Sequence, residues 1–94
     1  MPAIRVVVQF TADSPAIADE QVKGLAERAK AVEAEPGCLQ FEVFRSVAHP
    51  EKYALIERWE SQEVLDARAG ARGGGPPPLP AGVRRTIEHY EYHT

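Results

Sequence analysis

A single cysteine, a single tryptophan and no long apolar run set the first limits on this chain of 94 residues. With Cys38 alone, no intrachain disulfide can form, which suits a reducing compartment and points to the cytoplasm. No apolar stretch approaches the roughly 20 residues that a membrane helix requires, so no membrane partner is expected. The start, Met1-Pro2-Ala3, lacks the basic segment and long apolar stretch of a signal peptide. Basic charge is scarce as well. The 11 Lys and Arg fall short of the 14 Asp and Glu, and the net charge of -3 speaks against a nucleic-acid partner.

Chemical signatures are also few. There is no Cys/His cluster, no phosphate loop and no Ser-His-Asp arrangement. Gly73-Gly74-Gly75 is no phosphate cradle, because Pro76-Pro77-Pro78 follows where a helix N-terminus would have to begin. No haem, flavin or metal is expected. A chain of this length buries roughly 60–65% of the surface its unfolded form exposes. Without disulfides, oligomerisation is the cheapest way to bury more.

What is present is regular periodicity. Ile4–Ala12 alternates as a strand, with Ile4, Val6, Val8 and Phe10 on one side. Ser14 then reads as a helix cap and Pro15 as a first helical position. Val22, Leu25, Ala26, Ala29 and Val32 form an apolar stripe that Pro36-Gly37 ends. Cys38–Ser46 is a second strand, with Leu39, Phe41 and Val43 on one face and Gln40, Glu42 and Phe44 on the other. Ala48-His49-Pro50-Glu51 turns the chain into a third strand, Lys52–Glu60. Ser61 caps a short helix from Gln62 to about Ala69, with Val64, Leu65 and Ala69 inward. The Gly- and Pro-rich stretch 70–82 has neither period and reads as a loop. Val83–Tyr92 is a last strand.

The order β-α-β-β-α-β predicts one α+β domain over residues 1–94, a ferredoxin-like antiparallel sheet with both helices on one face. A sheet with one solvated face should alternate cleanly. Here Phe44, Ala54, Ile56 and Val7 make the second face apolar too. Sheet packed on sheet across a two-fold axis, a homodimeric α+β barrel, would cover it. A monomer with a few exposed apolar residues is the alternative.

Two segments, Glu35-Pro36-Gly37-Cys38-Leu39-Gln40-Phe41-Glu42 and Leu55-Ile56-Glu57-Arg58-Trp59-Glu60-Ser61-Gln62-Glu63, together with Leu65-Asp66-Ala67, resemble the antibiotic-biosynthesis monooxygenase domain family. The resemblance covers roughly Ile4–Ala69 and returns more weakly at Val83–Tyr92. It implies a dimeric barrel with a pocket between sheet and helices in each subunit. It also implies activities that range from metal- and flavin-free oxidation of polyketide anthrones to haem degradation. Of the polyketide oxygenases' functional set only Trp59 is kept. Leu55 stands where they carry asparagine, Leu65 where they carry tyrosine, and Arg68 where many relatives carry histidine or, in the haem-degrading branch, tryptophan. No histidine lies between His49 and His89 to serve as that branch's haem ligand.

Three residues are candidates for catalysis. Trp59 reads either as a flat wall for an aromatic substrate, its indole N–H orienting a substrate oxygen, or as a core residue locking strand to helix. Glu57 shares its strand face with Leu55 and Trp59. It reads either as a general base in an apolar pocket or as an ion-pair partner of Arg5 or Arg45. His89 shares one face of the last strand with His93, and imidazoles exchange protons near neutral pH. Those two residues lie roughly 13 Å apart along a strand, too far for one metal ion. Leu55, Trp59, Leu65 and Phe10 are the expected substrate contacts. Cys38 follows a helix end without cationic help, as a buried small hydrophobe would. The reading favoured is a cofactor-independent monooxygenase acting on a small aromatic or polyketide-type compound. A non-catalytic ligand-binding or accessory dimer, and a non-oxidative isomerase or cyclase, are the alternatives on the same fold.

Overall fold

A computed structural model describes residues 2–71, 73 and 77–92, with Tyr92 described for its backbone alone. Six elements follow in the expected order: β1 (Ala3–Ala12), α1 (Pro15–Glu33), β2 (Cys38–Arg45), β3 (Lys52–Trp59), α2 (Gln62–Ala71) and β4 (Val83–Tyr92). The sheet runs β2-β3-β1-β4 and every neighbouring pair is antiparallel. β3 thus separates the parallel strands β1 and β2, which is the split β-α-β arrangement of a ferredoxin-like fold.

The helix ends form as their residues dictate. Ser14 Oγ accepts the Ile17 N–H at 3.2 Å, and Pro15 occupies the start, where an N–H would have no partner. Ser61 Oγ takes the Val64 N–H at 3.3 Å at the head of α2. That helix runs on to Ala71, two residues into the stretch expected to be loop. Residues 72 and 74–76 of that stretch lie outside the described residues.

The register sorts the side chains into rows. On the helix-facing side, Phe41, Glu57, Val6 and His89 lie across the sheet in one row, and Cys38, Trp59, Ile4 and Glu91 in the next. These rows and their continuation, Leu55, Val8, Tyr53 and Phe10, form the core with Leu25, Ala29 and Val32 of α1 and Leu65 of α2. Two expectations need correction. Ala26 is exposed and Ala18 is buried in its stead, because Ala18, Leu25, Ala29 and Val32 hold the stripe and Ala26 sits a hundred degrees round from Leu25. Leu39 leaves the core face and is 49% exposed. A register shift between Cys38 and Gln40 makes it the unpaired extra residue, so Cys38 packs against the core instead.

The opposite face carries rows of mixed character, Gln40, Arg58, Arg5 and Tyr90, then Glu42, Ile56, Val7 and Glu88. Phe44 and Tyr90 are 48% and 50% exposed on it. Arg5 donates to Gln40, whose amide donates in turn to Glu42 at 2.9 Å.

Candidate active site

β3 brings the sequence's candidate residues together. Leu55, Glu57 and Trp59 project to the helix side by the two-residue period, and all three are buried. Trp59 is the most enclosed large side chain, at 1% exposure. Its indole N–H donates to Glu57 Oε1 at 2.7 Å, so the buried carboxylate and the buried indole satisfy each other. Phe41 meets the indole edge to face, centroids 6.5 Å apart at 77°. Arg68 of α2 lies over both rings, its guanidinium carbon 5.1 Å from the Trp59 centroid and 5.7 Å from that of Phe41. Arg68 Nε donates to Glu35 Oε1 at 3.1 Å.

Cys38 borders this cluster. Burial pushes its thiol pKa up, and the charges of Glu57 and Glu35 push the same way. A backbone hydrogen bond with Gln40 and the Arg68 cation oppose them.

The open space lies one strand further along. α2 packs on β1 and β3, and on β4 the helix-side residues Ile87, His89 and Glu91 are exposed. Between the head of α2 and the ends of β1 and β4 is a cleft of about 290 Å³ lined by Pro2, Ile4, Gln62, His89, Tyr90 and Glu91. In the two rows, Val6 stands between Glu57 and His89, and Ile4 between Trp59 and Glu91. The Glu57–Trp59 pair is therefore the cleft's neighbour behind a wall of two aliphatic residues.

The expected site residues thus divide. His89 lines the cleft. Glu57 and Trp59 bond to each other beneath α2, with Leu55 and Leu65 packed in the same core. Phe10 sits at the other end of β1, stacked on Tyr53 at 4.8 Å, about 20 Å from Ile4 by strand rise. Arg5 lies on the opposite face of the sheet, and Arg45 bonds to Asp19 and to the Pro50 carbonyl. His93 lies outside the described residues. Sequence reasoning missed Gln62 and Glu91. The two-residue period puts Glu91 beside His89, but only the folded chain brings Gln62 to them. Among the described residues no group of three or more His, Cys, Asp or Glu is placed to hold a metal ion. No described helix is long and apolar enough to cross a membrane.

The model of the antibiotic biosynthesis monooxygenase family matches residues 3–72. The chain belongs to that family. Within the antibiotic biosynthesis monooxygenases its similarities run in several directions. It is 44% identical over 50 residues to a haem oxygenase (mycobilin-producing) of Mycobacterium tuberculosis, a match that spans 53% of this chain and 48% of that protein. The chain thus spans about half the length of the curated relatives it matches. Among solved structures it is similar to the haem-degrader MhuD of M. tuberculosis with two haems bound, at 29% identity and a TM-score of 0.66, covering 96% of this chain and 94% of that one. A putative antibiotic biosynthesis monooxygenase from Caulobacter crescentus CB15 is 28% identical, with a TM-score of 0.65 and coverage of 99% and 92%. PA3566 from Pseudomonas aeruginosa shares the fold at a TM-score of 0.77, 17% identity and coverage of 100% and 97%.

Proposed function

We propose that this protein is a cofactor-independent monooxygenase that takes a small aromatic or polyketide-type compound into the cleft between α2 and β4. The observation that carries the reading is the position of His89. Of the two candidate bases read from the sequence, Glu57 and His89, it is the exposed one, in a cleft with an aliphatic floor. His89 takes a proton from an activated ring position of the bound compound and leaves an electron-rich anion. Dioxygen, the co-reactant, accepts electrons from that anion and adds to it. Collapse of the adduct releases one oxygen atom as water and leaves the other as a carbonyl, so that a ring methylene and dioxygen become a ketone and water. The Glu57–Trp59 pair is the polar part of the wall behind Ile4 and Val6.

Haem is the ligand of the solved relative, and the stretch from α2 to β4 offers it no ligand here. The cleft of about 290 Å³ admits a compound of two or three fused rings. From Gln62 to Gly82 the chain carries no His, Cys, Tyr or Met to supply an axial ligand. The exposed Phe44 and Tyr90, with Ile56 and Val7 between them, support a homodimer joined through the open sheet face, burying more than about 1,200 Å². Sedimentation at micromolar concentration would show twice the chain mass; a monomer would refute the dimer.

A non-catalytic ligand-binding dimer is the second reading. What favours it is that the indole N–H and the Glu57 carboxylate are engaged with each other. Oxygen uptake by metal-free protein with an anthrone substrate separates the two. The oxygenase consumes one dioxygen per ketone formed, and His89→Ala loses about 10²–10⁴-fold in rate, the usual worth of a general base. An anthrone that binds without oxygen uptake leaves the second reading.

A further inference from the structure

We infer that Arg68 is a positioning residue: it holds the Trp59 indole in the orientation that donates to Glu57. The interaction is built from both ends. Glu35 lies beyond the C-terminus of α1 and reaches α2 because the α1–β2 connection approaches that helix closely. Gly37 makes this approach possible. It sits at a φ of 84°, and a Cβ there would come 2.5 Å from a Val64 methyl carbon. The Glu60 N–H donates to the Gly37 carbonyl at 2.8 Å and ties the same connection to the end of β3. Glu35, brought alongside α2, accepts from Arg68 Nε, and that bond fixes the guanidinium above the two rings.

The consequence is electronic as well as steric. A cation over the indole face draws on the ring's π density, which makes the N–H at its edge a stronger donor. The acceptor is a carboxylate, and charge-assisted bonds are the strong ones. Glu35, Arg68, Trp59 and Glu57 thus form a line of alternating charge and dipole that runs from the surface into the core. The side chains of Glu35 and Arg68 are 43% and 21% exposed, whereas the Glu57–Trp59 bond is buried. Lysine would supply the charge at Arg68 without the planar surface that stacks on a ring or the Nε that meets Glu35.

The inference does not depend on what the cleft turns over, because it can be read without substrate. Trp59 is the chain's only tryptophan, so a proton–nitrogen correlation spectrum carries one indole N–H resonance. Arg68→Ala should move that resonance upfield and speed its deuterium exchange roughly fivefold to tenfold, the factor one ordinary hydrogen bond is worth. Glu57→Gln should move it the same way, and Arg68→Lys should recover only part of the wild-type position. An Arg68→Ala protein that keeps its backbone amide pattern with an unchanged indole resonance would overturn the assignment. If Arg68→Ala does not fold, Glu35→Ala, which removes the acceptor, decides. A smaller upfield shift in that variant supports the positioning role, and no shift overturns it.

Discussion

The two ends of the sheet differ in how completely helix covers them. On the β2–β3 side, the 19 residues of α1 and the Arg68 side chain of α2 lie over the sheet, and Phe41, Trp59, Leu55 and Tyr53 are all closed over. On the β4 side, α2 presents 10 residues of which Leu65 alone is fully buried, and the inner face of β4 is left with Ile87, His89 and Glu91 exposed. The same strand pattern therefore yields a packed core at one edge and a cleft at the other. What separates them is where the helices settle: α1 packs chiefly on β2, and α2 on β1 and β3.

The comparison can be broken most severely at Trp59. Trp59→Ala removes the largest buried side chain and leaves the Glu57 carboxylate without its indole donor, so urea unfolding should show a loss of about 3–5 kcal/mol. A loss under about 1 kcal/mol would mean that the closed side is not the core. Gly37→Ala should come next. It forces a side chain into a positive φ and against Val64, and should cost about 1–3 kcal/mol in the same assay.

Cys38 tests the closure chemically. Burial raises its pKa, so at neutral pH it should react with iodoacetamide more slowly than the same thiol in denatured protein. The folded state holds this proton more tightly than the unfolded chain does. The stabilisation is full below the ordinary thiol range and is lost as the pH rises through the raised folded value. Equal alkylation rates in folded and denatured protein would contradict the packing. The smallest effect belongs to the open side. Ile87→Ser should change the unfolding free energy by no more than about 0.5 kcal/mol, because the side chain already faces solvent. A loss above about 1 kcal/mol would mean that β4 is covered in solution.

Periodicity in the sequence was enough for six elements and their order. Alternation in β1 and β3 assigned Ile4, Val6, Leu55, Glu57 and Trp59 to one face, and Ser14, Pro15 and Ser61 marked the helix starts. These features are local, and local residue chemistry specifies them. Leu39 was misplaced for a reason of another kind. Alternation counts residues, and a bulge inserts one without any change in the composition of the strand.

The candidate site divides along the same line. A two-residue spacing shows that Glu57 and Trp59 are neighbours, and nothing more is needed to expect an interaction between them. No spacing shows that Arg68, nine residues beyond Trp59, lies over its ring, or that Glu35 reaches back to hold the guanidinium. Nor does any spacing put Gln62 across a cleft from His89, or shut Trp59 away from the space it was expected to line. Those facts depend on where two helices of unequal length settle on a twisted sheet. That is decided by the packing of side chains distant in sequence, which only the folded chain brings together.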